Sequence, residues 1–252
     1  QLEKRLELIK VQAPLFVKTS SGLQDQLSGK EKSVSFTKDD EKFEIVHSLA
    51  KWKREALGKY EFPLHTGLYT DMKAIRKDEE VDEIHSLYVE QWDWEKVISK
   101  EDRTVEYLKQ TVTSIYKAIR QTSLMLKQKY HFLELTLPKT VYFITSQELE
   151  DLYPELDPKE REERITKEKK VVFIIGIGDK LKSGKPHDLR SPDYDDWSLD
   201  GDLLIYDKKL DKAIELSSMG IRVDEDSLLT QLEKSKTMDR VELPYHQKIL
   251  KK

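Results

Sequence analysis

The sequence predicts an α+β fold: a mixed, mainly antiparallel sheet flanked by helices. Three observations lead there. Val105, Leu108, Val112, Ile115 and Ile119 recur at alternating steps of three and four, which marks a long amphipathic helix whose stripe is core. Val171-Val-Phe-Ile-Ile-Gly-Ile177 is a continuous apolar run of the kind a buried strand carries. Between these, strand and helix patterns follow one another without regular β-α alternation, which disfavours a doubly wound parallel sheet.

The elements follow in order. Leu2, Leu6 and Ile9 share helical spacing, and Val11–Val17 reads as a strand broken by Pro14. Val34-Ser-Phe36 and Phe43–Val46 flank the polar Lys38–Lys42, which suggests a hairpin. Ser48 can cap a helix carrying Trp52 and Leu57. Tyr88–Glu95 is rich in β-formers, and Ser99 with Asp102 offers a capping box ahead of the long helix. Thr140–Thr145 is a strand, and Pro158 opens a helix that is almost all charge through Lys170. Its acids and bases are interspersed, as on a solvated face. Asp202–Tyr206 and Ile214–Ser217 are short strands, and helix returns around Ser227–Glu233.

The bulk numbers bound the function. With 252 residues the chain can form one large domain or two small ones. Lys+Arg and Asp+Glu stand at 44 against 48, so no global basic field recruits nucleic acid and any anion binding must be local. Cysteine is absent, which excludes disulfides, thiolate metal sites and a cysteine nucleophile for releasing ammonia from glutamine. No apolar run is long enough to span a bilayer and no signal-peptide pattern opens the chain, so we expect a soluble cytoplasmic protein that binds neither membrane nor nucleic acid. Gln1 at the first position suggests residues ahead of it.

Familiar motifs fail on inspection. Gly176-Ile-Gly178-Asp-Lys180 has Leu181 where the dinucleotide fingerprint needs a third glycine, and Pro186 follows Lys185 where a phosphate loop needs Ser or Thr. The six histidines contain no His-x-x-x-His pair, and no Gly-x-Ser-x-Gly appears, which disfavours a zinc site and a serine hydrolase.

Two stretches carry more. His187-Asp-Leu-Arg-Ser-Pro-Asp-Tyr-Asp-Asp-Trp197 and Glu215-Leu-Ser-Ser-Met-Gly-Ile-Arg-Val-Asp224 mix acids, an arginine and hydroxyls. A core tolerates that only if every charge has a partner. Asp193, Asp195 and Asp196 around Tyr194 also suit a loop with aspartate caps, and Arg190 suits an ion-paired loop as well as a site. Glu215 and Ser217 share a strand face, and Asp202 lies on the neighbouring strand. Two carboxylates on adjacent strands are costly unless a cation such as Mg²⁺ sits between them. On the strand near residue 91, Leu87, Val89, Gln91, Asp93 and Glu95 share one face, with Trp92 and Trp94 on the other. That face is either a solvated edge or a grip for an ammonium group. Lys51, Lys53 and Arg54 are either a solvated helix face or cations for a substrate carboxylate.

Together with His47-Ser-Leu-Ala-Lys-Trp-Lys-Arg54 and Leu87-Tyr-Val-Glu-Gln-Trp-Asp-Trp-Glu95, these stretches resemble the ammonia-dependent asparagine synthetase (aspartate–ammonia ligase) family, from about residue 1 to about residue 250. That family is similar in fold to the catalytic domain of class II aminoacyl-tRNA synthetases. The resemblance implies a single catalytic domain over residues 1–252, a homodimer, and a ligase joining L-aspartate and ammonia at the expense of ATP with Mg²⁺, through a β-aspartyl-adenylate. It implies an aspartate pocket of Asp25, Ser48, Lys53, Gln91, Asp93 and Ser217. It implies nucleotide contacts at Arg76, Arg190, Asp195 and Glu215, with Arg76 resembling the arginine that holds the α-phosphate. Arg76, Asp195 and Lys53 would be catalytic, and Asp202 and Glu215 metal ligands.

Two departures stand out. The chain is shorter than the family pattern between Trp197 and Gly201, and it stops at Leu250-Lys-Lys252 before the glycine-rich third class II motif. We expect the whole protein to carry further residues at both places. A truncated chain would instead be weak in adenylation, and a non-catalytic protein that binds aspartate or asparagine as a regulator is the alternative. A tRNA synthetase core lacks support from any basic patch or anticodon-binding domain.

Overall fold

The computed structural model describes residues 1–25, 31–133 and 136–250; Lys251 and Lys252, at the end of the stretch noted above, lie outside them. The chain runs α1 (Leu2–Leu6), β1 (Leu8–Lys10), β2 (Phe16–Lys18), β3 (Ser35–Lys38), β4 (Glu41–Ile45), α2 (Ala50–Lys59), β5 (Gly67–Ile75), β6 (Tyr88–Lys96) and α3 (Val105–Lys129). It continues through β7 (Tyr142–Thr145), α4 (Ser146–Leu152), α5 (Pro158–Lys169), β8 (Val171–Ile175), β9 (Asp195–Asp207), β10 (Lys212–Arg222), α6 (Glu225–Lys234) and α7 (Pro244–Leu250). The class is α+β, as the pattern predicts. These elements gather into two compact units.

The first unit comprises Gln1–Arg5, Glu101–Leu189 and Asp195–Ile221. Its sheet has the order β10-β9-β8-β7. β8 is buried at every position and takes β7 in parallel and β9 in antiparallel register, with Ile174 opposite Asp202. Ile144, Leu149, Ile165, Val172, Ile174, Ile177 and Leu204 form its core. Gly201 is required by close approach, because a Cβ there would run into the Ile174 carbonyl and the Phe173 ring. β9 and β10 are much longer than the short strands expected, and Asp195 and Asp196 open β9 instead of sitting in a loop. Sequence patterning missed this because Asp200, Gly201 and Asp202 interrupt the apolar alternation; Asp200 belongs inside because its Oδ1 accepts from the Ile177 N–H at 2.9 Å.

The long helix persists to Lys129, beyond the stripe seen in the sequence, and its cap is Thr104, whose hydroxyl accepts from the Tyr107 N–H at 3.1 Å. The box expected from Ser99 and Asp102 is therefore not used. α5 begins at Pro158, with Asp157 and Glu160 forming a reciprocal cap. Its charge is not wholly solvated as expected. Arg161 and Glu162 are buried, Arg161 against Glu150 at 3.3 Å and Glu162 against His187 at 3.0 Å.

The second unit comprises Leu6–Lys100, Arg190–Tyr194 and Arg222–Lys252. β5 pairs in parallel with β1 and antiparallel with β6, the register placing Met72 opposite Gln91 and Thr70 opposite Asp93. Ile9 therefore lies in a strand, where helical spacing had placed it in a helix. The expected hairpin is β3–β4, turning at Asp39 and Asp40, both at positive φ, as a tight two-residue hairpin loop requires. β2 adds to the other edge of β4, so the Val11–Val17 run divides around Pro14: the Val11 N–H donates to the Tyr69 carbonyl at 2.9 Å beside β1, and Phe16 and Val17 join β4. Val17, Val46, Leu49, Met72 and Ala74 bury one core, and Val223, Leu228, Leu232, Tyr245 and Ile249 another.

Candidate functional site

The second unit gathers several of the expected site residues on the face of β6 that α2 covers. Period two sends Gln91, Asp93 and Glu95 to one side of β6, and Lys51 and Lys53 on α2 are buried. Lys53 Nζ bonds the Asp93 carboxylate, donates to the Trp94 carbonyl at 2.9 Å and lies 3.6 Å from Glu95. Arg222 closes on Glu95 as a fork, Nε at 2.8 Å and Nη2 at 2.7 Å. Burial alone would raise the Glu95 pKa, but Arg222, Lys53 and Arg54 outweigh it and hold the carboxyl below its ordinary value. Gln91 is exposed at the outer end of the same face.

Asp25 is fully buried and caps α2 from a distance. Its Oδ2 accepts from the Ala50 N–H at 2.6 Å. Ser48 was expected to cap this helix; its hydroxyl oxygen accepts from the same N–H at 3.4 Å, the longer of the two contacts. Burial raises the Asp25 pKa despite Lys51, Ser48 and Ala50. A carboxyl with a raised folded pKa loses relative stability as pH rises through that value, so carrying the charge costs the folded state stability. Asp25→Asn keeps an acceptor for Ala50 without the charge. We expect it to melt no lower than the parent at pH 7, whereas Asp25→Ala loses about 1 kcal/mol of cap. A clearly lower melting temperature for the asparagine variant would count against this account.

Asp193 is the hub of a second cluster in this unit. Its carboxylate lies 3.0 Å from His246 Nε2 and 3.6 Å from both Lys51 Nζ and Arg240, and takes the Ser191 hydroxyl at 2.5 Å. The His246 contact is at ion-pair distance but off the line of a good hydrogen bond. Lys51 also lies over the rings of Tyr194 and Tyr245, at 5.5 and 5.8 Å. Arg76 follows β5; its backbone N–H donates to the Leu87 carbonyl at 2.8 Å, and its side chain remains a quarter exposed, 3.9 Å from Glu79. Arg190 is half-buried in the segment leading to Asp193.

The remaining expected residues belong to the first unit. Asp195 starts β9 beside Gly220, Asp202 is buried on β9, and Glu215 and Ser217 lie on the neighbouring β10, Glu215 exposed and Ser217 half-buried. Among the described residues no group of three or more acids or histidines could hold a metal by itself. A two-carboxylate arrangement still suits Mg²⁺, which commonly takes one or two protein carboxylates and leaves its other positions to phosphate oxygens and water.

A family profile described as aspartate-ammonia ligase matches residues 1–252. The chain belongs to the aspartate–ammonia ligase family. It is 57% identical to the aspartate–ammonia ligase of Clostridium tetani, covering 100% of this chain and 74% of that one. It is 54% identical to that of Lactobacillus johnsonii, covering 99% and 76%. Among solved structures it resembles asparaginyl-tRNA synthetase from Pyrococcus horikoshii complexed with asparaginyl-adenylate, with TM-score 0.61 and 14% identity over 98% of this chain and 58% of that one. Asparaginyl-tRNA synthetase from Entamoeba histolytica matches at TM-score 0.57 and 14% identity, over the same shares. At that identity the likeness is one of fold, and the fold is that of the class II synthetases.

The site that the resemblance implied left out Glu95, Arg222, Lys51 and Asp193, and the sequence left open whether Asp193 is a loop cap or part of a site. A signal existed for two of them. Glu95 continues the Gln91–Asp93 face, and Arg222 lies in the second mixed-charge stretch. Lys51 was marked only as one of three neighbouring cations, because the partners that bury it, Asp193 among them, stand far away in sequence.

Proposed function

We propose that this chain makes L-asparagine from L-aspartate, ammonia and ATP through a β-aspartyl-adenylate, releasing AMP and pyrophosphate. The observation that carries the reading is the family match along the whole chain, with relatives 54–58% identical over nearly all of it. A carboxylate is a poor electrophile and does not condense with ammonia at neutral pH. Joining the β-carboxylate to AMP supplies a leaving group, so the protein's work is alignment and charge stabilisation.

In this reading Asp25, Ser48, Lys53, Gln91, Asp93 and Ser217 form the aspartate pocket. The buried Lys53–Asp93 pair supports it, because an amino acid brings one carboxylate and one ammonium, the complements of these two groups. Arg76 holds the α-phosphate during attack, and Arg190, Asp195 and Glu215 contact the nucleotide. Asp202 and Glu215 would hold Mg²⁺, which when bound offsets phosphate charge. We also propose that residues 1–252 serve as one catalytic domain, that the enzyme is a homodimer, and that it works in the cytoplasm without nucleic acid or membrane partners. Among the described residues no helix is long and apolar enough to cross a membrane.

The test is aspartate-dependent ATP–pyrophosphate exchange with Mg²⁺ and no ammonia, followed by product analysis once ammonia is added. Exchange is expected, then asparagine with AMP. Asparagine formed with ADP would overturn the adenylate route. No exchange from the full-length protein would favour a regulator that only binds the amino acid.

A further inference from the structure

The start of β9, from Asp195 to Ser198, is held from both of its faces. Successive strand residues point to opposite sides, so Asp196 and Ser198 share one face and Asp195 and Trp197 the other. On the first face the Asp196 carboxylate has both oxygens occupied. Its Oδ2 accepts from Arg103 Nη2 at 2.9 Å, and its Oδ1 accepts from the Ser198 N–H at 3.0 Å and the Ser198 hydroxyl at 2.6 Å. The arginine and the acid are only 16% and 14% exposed, so solvent screens their attraction less than it would at the surface. On the other face Trp197 is buried with its ring against Gly178. The Asp195 carboxyl lies over Gly220, where a Cβ would stand 2.8 Å from its Cγ.

We propose that Arg103 is a positioning residue for Asp195: by joining Asp196 to the start of α3 it fixes the direction in which Asp195 leaves the strand. This rests on the reading of Asp195 as a nucleotide contact. The anchor is a firm one. Arg103 directly precedes Thr104, the cap of α3, and that helix buries Leu108, Val112, Ile115 and Tyr116. The two adjacent acids therefore have separate parts. Asp196 is spent on the bridge, and Asp195 is placed by it. A group that must meet a substrate to within about 0.5 Å needs a backbone that neighbouring packing and hydrogen bonds keep from pivoting.

The experiment measures KM for ATP and for aspartate in aspartate-dependent ATP–pyrophosphate exchange, and the Kd for Mg-ATP without aspartate. It compares the parent with Arg103→Ala, Arg103→Lys and Asp196→Asn, each with its melting curve. Losing a hydrogen bond between charged groups should raise KM for ATP and the Mg-ATP Kd about tenfold or more in Arg103→Ala and Asp196→Asn, with KM for aspartate unchanged. Arg103→Lys should stay within about threefold of the parent, because an ammonium can still reach the Asp196 carboxylate. On an Asp195→Ala background, adding Arg103→Ala should change the Mg-ATP Kd by less than about twofold, since an arginine that acts through Asp195 then has nothing to place. A merely structural arginine would carry its full effect into that background, and this result would overturn the proposal. So would an Arg103→Ala enzyme equal to the parent. An impaired Arg103→Ala beside a normal Asp196→Asn would mean that charge, not placement, is at work, and would overturn it too. Should Arg103→Ala fail to fold, Asp196→Asn breaks the same bridge from the strand side and carries the test, alone and on the Asp195→Ala background. A parent that binds Mg-ATP but never exchanges refutes the ligase reading and leaves the Kd values to decide the positioning; a parent that does not bind Mg-ATP overturns both.

Discussion

Arg76→Ala is expected to lower aspartate-dependent ATP–pyrophosphate exchange by about 10²–10³-fold while leaving the fold intact. Removing one donor aimed at charge that develops in the transition state costs about 2.7–4 kcal/mol in comparable sites. Stability should change by less than about 0.5 kcal/mol, because the side chain is a quarter exposed and its nearest acid, Glu79, stands 3.9 Å away. The backbone bond to Leu87 that holds the end of β5 survives any side chain. Arg76→Lys should not restore activity, since an ammonium does not offer the planar fork. Exchange by Arg76→Ala within about threefold of the parent, on protein with an unchanged melting curve, would remove Arg76 from the proposed chemistry.

Asp193→Ala should produce the largest loss of stability, about 3–5 kcal/mol, seen as a lower urea midpoint. The carboxylate is 2% exposed and is shared by Lys51, His246, Arg240 and Ser191, so its removal leaves buried cations without their counter-ion. Burial alone would raise its pKa. The His246 contact, the Lys51 charge and the Ser191 hydroxyl reverse this and hold it well below the ordinary carboxylate range. The sign of the pH effect follows. A folded pKa below the unfolded value of about 3.9 gives stability that is fully present above the unfolded value and drains away as pH falls through the folded one. The gap between parent and Asp193→Asn should therefore be full at pH 7 and shrink steadily below about pH 4. A gap independent of pH would mean that packing, not charge, holds this cluster. Lys51 shares α2 with Lys53, so loosening the hub should also weaken aspartate binding.

How much was legible in the sequence depends on whether the cause was local. The stripe from Val105 to Ile119, the hairpin around Asp39 and Asp40, the Pro158 helix start and the period-two face of Gln91 and Asp93 were read correctly. Each depends on neighbours within one element. The mixed-charge stretches pointed to the family, because such mixtures are tolerated only where distant charges complete them.

Tertiary structure decided the rest. Only the fold could bring Asp25 to the first turn of α2, displacing Ser48 as its cap, because the acid and the N–H groups it takes are 25 and 26 residues apart. Only the fold could set the Arg222 guanidinium on Glu95 across 127 residues, or bury Arg161 and Glu162 in a helix that reads as all surface. Asp200 and Asp202 broke the strand pattern at β9, yet the ladder to β8 continues through Asp202 and Gly201. Backbone hydrogen bonds are indifferent to the side chain, and a carboxylate can be kept inside when a distant N–H supplies its partner. Chain-local chemistry thus determined the elements and the family. Which charges meet, and so which residues can act together, was set by contacts between segments that the order of residues does not encode by itself.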